Sequence, residues 1–526
     1  MKTIKLFMMA ALAVMTAACS SDDNDITTPT PQPVKPEGIP FSATIESESA
    51  TTRALSESGN TITAAWKTGE KVALIYTVND TKQLVVAEVT ANTDHSATIK
   101  ATLTGSPADG TPVEIVYPAS AVDENTKEVK DLTTLLSEQS GELTNISDKY
   151  DLREATGNLK IENGTASLQK SVRLNSELAI LYIQAIKPYN SNATLAFNSL
   201  TITIDGKKYV NIQKQSGSGQ NYFHVALPPV SNGKVIFLAT DDSGNTYGYS
   251  KSGVTFEAGK YYQSTLKMMG AFSVSAEKKV CFSKGNLQYN GSTWSFATSQ
   301  WDNLSYGCGG SAPSGTMDLF TWGNISSPST TGTTYDPYSN PLDNTIAQGA
   351  DGSDWGYNAI SNGGDKKSQW RTLTISEWEY LFKTRTNAAS KYGFATVNDR
   401  HGIIIVPDGF SDPNKNDGSK AFAGSSTTGW NANIYTEANW TFMEKAGCVF
   451  LPAGGQRNES SVSGYQIKDS DNNPGTGYYW SASCGGSTIY AQYLEFNSGN
   501  LQINSGIPSS TTNKDKGYSV RLVRDL

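Results

Sequence analysis

The chain is poor in the residues that build most catalytic and metal sites. Its 526 residues include only three histidines, His95, His224 and His401, and five cysteines. No histidine has a second metal-binding residue at ligand spacing, and an isolated histidine is more often structural than catalytic. No glycine-rich phosphate loop follows a predicted strand and opens a helix. We therefore expect a protein that is not an enzyme and has no metal or cofactor site.

Excess basic charge is also lacking. The formal net charge is -8 and the pI is about 5.2, which argues against a phosphate-binding surface and hence against nucleic acid as a partner.

The apolar run from Leu6 to Met15 is too short to span a bilayer, which needs about 20 residues. It follows Lys2 and Lys5 and precedes small residues, as in a signal peptide, which we place at residues 1–18.

The residues around Cys19 indicate how the exported chain is anchored. Thr16-Ala17-Ala18-Cys19 resembles the lipobox of bacterial lipoproteins, in which the cysteine is lipidated, with palmitate among its acyl chains, and becomes the mature N-terminus. Thr16 replaces the usual leucine, so ordinary cleavage remains an alternative. The following Ser20-Ser21-Asp22-Asp23 resembles a surface-export signal of some Gram-negative anaerobes. The resemblance implies an outer membrane lipoprotein exposed on the cell surface, with residues 19–38 as a disordered tether.

Residues 39–269 have the pattern of an all-β protein. Phe41, Ala43 and Ile45 alternate with polar residues, which predicts a strand with one buried face. Similar short runs separated by turn residues indicate β-sandwiches. Further strands are predicted at Val72–Tyr76, Leu84–Thr90, Ala97–Leu103, Pro112–Tyr117, Leu178–Ala185, Leu200–Ile204, Tyr222–Leu227, Lys234–Ala239 and Tyr261–Met268.

Three segments of this region resemble fimbrillin-like pilins of the type V pilus. They are Trp66–Val72 (WKTGEKV), Val116–Pro118 (VYP) and Phe256–Tyr262 (FEAGKYY). The resemblance implies two tandem transthyretin-like β-sandwiches, with a boundary in the polar stretch around residues 145–170. We assign residues 39–155 to the first sandwich and 156–269 to the second.

Residues 270–526 are predicted to form a separate α+β domain. A helix is predicted at Ile375–Thr384, because Thr374 and Glu377 have capping-box spacing. Segments Trp370–Tyr380 and Tyr518–Arg524 resemble formylglycine-generating-enzyme-like domains, which implies a C-type lectin-like fold. Strands are predicted at Ile403–Val406, Val449–Leu451, Tyr478–Ala482, Ala491–Phe496 and Ser519–Val523.

This domain offers few candidate sites. The closely spaced cysteine pair of formylglycine-generating enzymes is missing, and a disulfide between Cys448 and Cys484 is our prediction, although sequence does not fix the pairing. An acidic loop at Asp351, Asp354 and Asn358 is expected to be solvated rather than ion-binding. The better ligand candidates are tryptophans among polar residues, with core packing as the alternative. They are Trp294, Trp301, Trp322, Trp355, Trp430 and Trp440, whereas Trp370, Trp378 and Trp480 are expected in the core.

The fimbrillin resemblance also implies a route of assembly. In that route an Arg-specific protease removes the first strand, here Phe41–Ile45, and a strand of another subunit fills the groove. Arg53 and Ala54 would flank the cleavage point. The C-terminal segment Tyr518–Asp525 resembles the closing strand of its own domain, so it would not be donated.

These features imply a tip or accessory adhesin of a fimbrium. Its partners would be other fimbrillin subunits, bound by donor-strand exchange, and a glycan or protein on a host or bacterial surface. Two alternatives remain: a stand-alone surface glycan-binding lipoprotein, and an enzyme of the formylglycine-generating type.

Overall fold

The computed structural model of the chain is mainly β, which confirms the predicted class. The structure describes residues 38–47, 56–58, 61–63, 65–93, 95–186, 194–214, 219–306, 311, 315–323, 354–414, 416, 421–424, 429–458, 461–466, 474–484, 490–503 and 512–526. Cys19, Cys308, Arg53, Ala54 and Asp351 lie outside these residues, as do the predicted signal peptide and nearly all of the tether. None of the helices in the described part has the length and hydropathy that a membrane crossing needs.

The first folding unit is a β-sheet that closes on itself. The strands run in the order β10-β1-β6-β5-β4-β7-β8-β9, and β10 also pairs with β8 while β1 also pairs with β9. The inward apolar side chains form one core, which includes Phe41, Ile45, Trp66 and Leu74. The strands are β1 (Ile39–Ser47), β2 (Ser56–Ser58), β3 (Thr61–Thr63), β4 (Lys71–Val78), β5 (Thr81–Thr93), β6 (Ser96–Leu103), β7 (Pro112–Tyr117), β8 (Arg153–Glu162), β9 (Thr165–Leu168) and β10 (Val172–Ser176), with β2 and β3 forming a separate hairpin.

Strands β8 to β10 place the end of this unit later than the sequence predicted. The register pairs Pro112 with Asn158 and Tyr117 with Arg153, so β8 continues the first sheet. The first unit therefore extends to Ser176, beyond the predicted boundary at residues 155/156. The polar stretch that suggested a linker is in part a strand with one exposed face, since only Arg153 and Leu159 of β8 are fully buried. Short helical segments join β7 to β8: 3-10 Ala119–Ala121, α1 (Leu132–Leu135), α2 (Leu143–Asn145) and π-helical Ile146–Tyr150.

The second unit consists of two sheets packed around a separate core. One sheet has the order β14-β11-β17 and the other β13-β12-β15-β16-β18. Buried side chains such as Ile183, Phe197, Ile202 and Phe237 fill the space between them. The strands are β11 (Ala179–Ile186), β12 (Ser199–Ile204), β13 (Lys207–Gln213), β14 (Tyr222–Leu227), β15 (Val230–Thr240), β16 (Thr246–Phe256), β17 (Tyr261–Lys267) and β18 (Met269–Gly270).

The third unit combines small sheets with short helices. The predicted capping box is confirmed, because Thr374 Oγ1 accepts from Glu377 N and the Glu377 carboxylate accepts from Thr374 N. The predicted helix is observed as α3 (Ile375–Glu379), and it continues as the π-helical segment Tyr380–Thr384. The remaining elements are β19 (Phe272–Ser273), β20 (Lys279–Phe282), β21 (Leu287–Tyr289), β22 (Trp294–Phe296), 3-10 Trp355–Tyr357, α3 (Ile375–Glu379), 3-10 Ala388–Lys391, β23 (Tyr392–Val397), β24 (Arg400–Ile405), 3-10 Trp430–Ala432, β25 (Ile434–Tyr435), α4 (Glu437–Lys445), β26 (Val449–Pro452), β27 (Gln456–Asn458), β28 (Ser461–Ser463), β29 (Gly477–Cys484), β30 (Tyr490–Asn497), β31 (Asn500–Ile503), β32 (Thr512–Asn513) and β33 (Val523–Asp525).

The third unit docks closely on the second. A Cβ atom on Gly270 would lie 2.4 Å from the carbonyl oxygen of Gly447, so only glycine allows the two backbones to approach. Ala271 N donates to Thr246 O at 3.0 Å, and Ser411 N donates to Asn245 Oδ1 at 2.7 Å. These contacts hold the start of the third unit against strand β16.

Candidate functional site

Strand β1 is inserted into the first unit as an internal strand. On one side it pairs antiparallel with β6, from Ile39 opposite Leu103 to Glu46 opposite Ser96. On the other side it runs parallel to β10 and touches β9 at a single pair, Phe41 with Ala166. Its removal would therefore expose the edges of β6 on one side and of β9 and β10 on the other. Unpaired strand edges are ready templates for another strand.

The inward face of β1 completes the core of the first unit. Burial alternates along the strand, and Phe41 and Ile45 are only 2% and 0% exposed. They pack with Trp66, Leu74 and Ile99 in the same apolar cluster. The predicted alternation is thus confirmed, and the strand occupies an apolar slot as well as a hydrogen-bonding position.

The C-terminal end of β1 has one imperfect feature. The Ser47 hydroxyl is buried and has no hydrogen-bond partner among the described residues, although the Ser47 backbone N donates to His95 O at 3.0 Å. An unsatisfied buried hydroxyl costs roughly 1–3 kcal/mol. The polar groups at the end of β1 that leads toward Arg53 are therefore less completely hydrogen-bonded than those at the centre of the strand. That segment lies outside the described residues.

The C-terminus is held inside its own unit. Strand β33 pairs antiparallel with β20, where Val523 faces Phe282 and Asp525 faces Val280. On its other side, Val523 exchanges two backbone hydrogen bonds of 2.9 Å with Arg371. The last residue, Leu526, donates its backbone N to Lys279 O at 2.9 Å. We refer to these contacts of Val523–Leu526 as the C-terminal lock.

A buried ion-pair network strengthens the C-terminal lock. Arg371 makes a bidentate pair with Glu377, at 2.8 Å for both bonds, and donates to Asp525 Oδ1 at 2.7 Å. Burial acts to lower the pKa of Arg371, but the bonds to Glu377 and Asp525 outweigh burial and raise it. No local sequence pattern links Arg371 with Asp525, because 154 residues separate them.

The structure does not join Cys448 and Cys484 in a disulfide. Cys448 carries a free, buried thiol among the apolar side chains that surround Trp440, and burial raises its pKa. Cys484 lies at the end of β29 with its Sγ 3.8 Å from Tyr490 O. Cys281 is also a free buried thiol, and burial raises its pKa to about 11. Thiols with raised pKa values are poor nucleophiles at neutral pH.

The candidate ligand tryptophans are core residues, which corrects the expectation that some of them contact a ligand. Each is at most 9% exposed, and Trp355 and Trp440 are fully buried: the values are Trp294 7%, Trp301 9%, Trp322 4%, Trp355 0%, Trp430 5% and Trp440 0%. Trp440 lies in α4, Trp355 and Trp430 lie in 3-10 turns, and Trp294 lies in strand β22. An aromatic ring covered in this way cannot stack on a sugar.

The acidic loop is represented in the described residues by Asp354 and Asn358. Asp354 is fully buried and accepts hydrogen bonds from Gly356 N, Thr372 N and Thr372 Oγ1 at 2.8–3.1 Å. Its carboxylate therefore caps a 3-10 turn instead of being solvated as expected. Among the described residues, no group of three acidic, histidine or cysteine side chains is placed to hold a metal ion.

The three histidines lie in three different units of the fold. His95 is exposed after β5, and His224 is buried in β14 beside Tyr182, with 5.1 Å between ring centroids. His401 stacks on Trp430 and places its Nδ1 2.6 Å from Pro474 O. Burial lowers the pKa of His401.

No protein-family model and no curated protein matches the sequence. Solved structures similar to it include a cell adhesion protein from Bacteroides uniformis, with 13% identity over 45% of this chain and 94% of that chain, and a TM-score of 0.26. A fimbrial protein from Bacteroides ovatus has 13% identity over 93% of this chain and 99% of its own, with a TM-score of 0.21. A fimbrial assembly protein from Parabacteroides distasonis has 12% identity over 46% and 93%, with a TM-score of 0.25.

These neighbours are cell adhesion and fimbrial proteins of Bacteroides and Parabacteroides species. Their identities and TM-scores are too low for residue-by-residue transfer.

Proposed function

We propose that the chain is a surface-exposed lipoprotein, anchored through Cys19, that becomes a tip or accessory adhesin of a fimbrium once β1 is removed and replaced by a strand of another subunit. The insertion of β1 between β6 and the β9–β10 pair carries this proposal. A replacement strand with the same alternation would recover both the backbone pairing and the apolar contacts of Phe41 and Ile45.

The order of the segments along the chain would allow β1 to be exchanged after a single cleavage. The chain before Gly38 is predicted to be a tether, and the chain after Ser47 leads to Arg53 before the next strand of the first sheet, β4. One cut after Arg53 would therefore leave β1 attached only by non-covalent contacts. Exposed polar loops are preferred sites of proteolytic nicking.

The C-terminal lock supports a terminal position in the fibre. A donated C-terminal strand must leave its own subunit, but here Val523 is fully buried and Asp525 is paired with the buried Arg371. The Asp525 side chain is partly exposed, so solvent screens this pair and its contribution is smaller than that of a fully buried ion pair. The segment Val523–Asp525, held in its own unit, is not available as a donor strand, which favours a tip or accessory position with the third unit facing a host or bacterial surface.

The proposal is tested with the purified precursor and an Arg-specific protease. Limited cleavage is followed by mild urea, which should release the fragment that ends at Arg53. A synthetic peptide with the β1 sequence Ile39–Ser47 should then bind the cleaved protein in a stoichiometric complex. The matched control is a precursor with Arg53→Gln, which should resist cleavage and take up no peptide.

Two results would count against the proposal. One is a cleaved protein that unfolds as soon as the fragment leaves and takes up no peptide. The other is equal uptake of a peptide in which the residues corresponding to Phe41 and Ile45 are aspartates. Either result would favour a stand-alone surface lipoprotein that keeps β1.

A further inference from the structure

A cleft with cationic walls lies where the third unit docks on the second. Its volume is about 470 Å³, which is within the range of small-ligand sites. Small-ligand sites also occur preferentially where two folding units meet. Strands β15 and β16 contribute Lys234 and Lys251, and the third unit contributes Lys366, Trp370 and Arg524. We call this the basic cleft.

The charge of the basic cleft contrasts with that of the chain. The whole chain carries a formal net charge of -8, yet these four cationic side chains converge on one cleft. In the part of the chain that the structure describes, no ion pair involves Lys234, Lys251 or Lys366. The acidic lining residue, Asp525, is already paired with Arg371. Uncompensated cations around a cleft raise the local concentration of anions.

Arg524 lines the basic cleft, and its hydrogen bonds to the protein are long. Its guanidinium lies 4.5 Å from the centre of the Trp370 ring, a cation–π contact that fixes the plane of the group. Its terminal nitrogens donate to Ser250 O, Gly363 O and Gln369 Oε1 at distances of 3.3–3.4 Å, which are long for hydrogen bonds. Its Nε is shielded from solvent and has no hydrogen-bond partner among the described residues. A planar guanidinium held at the wall of a cleft is suited to an oxyanion.

The neutral lining narrows the ligand class. Tyr249, Ser252, Ser368 and Gln369 add hydroxyl and amide groups between the cationic side chains. Such groups hydrogen-bond to hydroxyls, which are abundant on sugars. We propose that the basic cleft binds an acidic sugar, one or two residues of a chain that carries carboxylate or sulfate groups. The inference rests on the proposed adhesin role and deepens it by naming a ligand class.

The test is calorimetric titration of the uncleaved mature chain. The probes are digalacturonate, a sulfated heparin disaccharide, neutral digalactose and inorganic phosphate. We expect at least one acidic disaccharide to bind more tightly than digalactose, with affinity that falls as salt is added. Lys251→Ala and Lys366→Ala, each made as a single variant, should weaken this binding at least tenfold, since one charge-assisted hydrogen bond is worth about 1.5–3 kcal/mol.

Lys367→Ala is the matched control. Lys367 is exposed and adjacent to Lys366, but it lies over Tyr357 and does not line the basic cleft. It removes the same charge and should change affinity by less than about twofold. All variants should keep the melting temperature of the parent, since the three lysines are at the surface.

Three outcomes would overturn the inference: digalactose binding as tightly as both acidic disaccharides, phosphate binding as tightly as either, or Lys367→Ala weakening binding as much as Lys366→Ala. The titration uses protein that still contains β1. Its failure would therefore leave the cleavage and peptide-uptake tests of the proposed function unaffected.

Discussion

Truncation of the inward side chains of β1 should selectively loosen this strand. The perturbations are Phe41→Ala and Ile45→Ala, compared with Thr44→Ala on the outward face of the same strand. Phe41 and Ile45 are buried in the core of the first unit, whereas Thr44 is exposed. The three changes thus keep the backbone pairing of β1 and differ in whether they remove core contacts.

The expected magnitudes follow from burial. Truncating a buried Phe to Ala costs about 3–5 kcal/mol and truncating a buried Ile to Ala about 2–5 kcal/mol, because lost transfer energy and a residual cavity add. An exposed substitution is expected to stay within about 0.5 kcal/mol. After cleavage at Arg53, a loss of about 3 kcal/mol would weaken retention of the β1 fragment on the order of 100-fold.

The assay measures two quantities for each variant. Urea unfolding of the intact precursor gives the change in the free energy of unfolding, and mass analysis after Arg-specific cleavage gives the rate at which the fragment leaves. Both core variants should unfold at lower urea and release the fragment faster, and Thr44→Ala should behave like the parent. Equal retention in Phe41→Ala and Thr44→Ala would refute the view that the apolar face holds β1 in its groove.

Other substitutions test the surroundings of the groove and of the C-terminus. Ser47→Ala removes a buried hydroxyl that has no partner among the described residues and should raise the unfolding free energy of the precursor by roughly 1 kcal/mol in urea titration. Glu377→Ala breaks the buried pair with Arg371 and should destabilise the third unit by about 3–5 kcal/mol in thermal unfolding, while Glu379→Ala at an exposed pair should cost under about 0.5 kcal/mol. Burial raises the pKa of Asp318 from 3.8 to about 6. The folded state therefore holds this proton more tightly, and the free energy of unfolding should fall by about 3 kcal/mol as the pH rises from about 4 to 6. Asp318→Asn should remove this pH dependence.

Local patterns predicted much of the first two units. The alternation of Phe41 and Ile45 identified β1, and the predicted bounds of β7 and β14 agree with the structure. The Thr374–Glu377 spacing identified the start of α3. These features depend on residues that are near one another in sequence, so a single sequence contains the signal.

Features that depend on distant residues were not predictable. Trp355 lies in a polar segment, and its complete burial results from elements that come from other parts of the chain. The free thiol of Cys448 reflects the packing of β26 against α4, which no cysteine spacing encodes. The basic cleft likewise joins Lys251 to Lys366 only because the second and third units dock.

The most direct test of strand replacement is mass spectrometry of the mature protein recovered from the cell surface, together with the proteins that copurify with it. We expect an N-terminus at Ala54, no peptide from residues 39–47, and a fimbrial subunit bound to the chain. A chain that keeps a lipidated Cys19 and residues 39–47, without a bound subunit, would contradict the account.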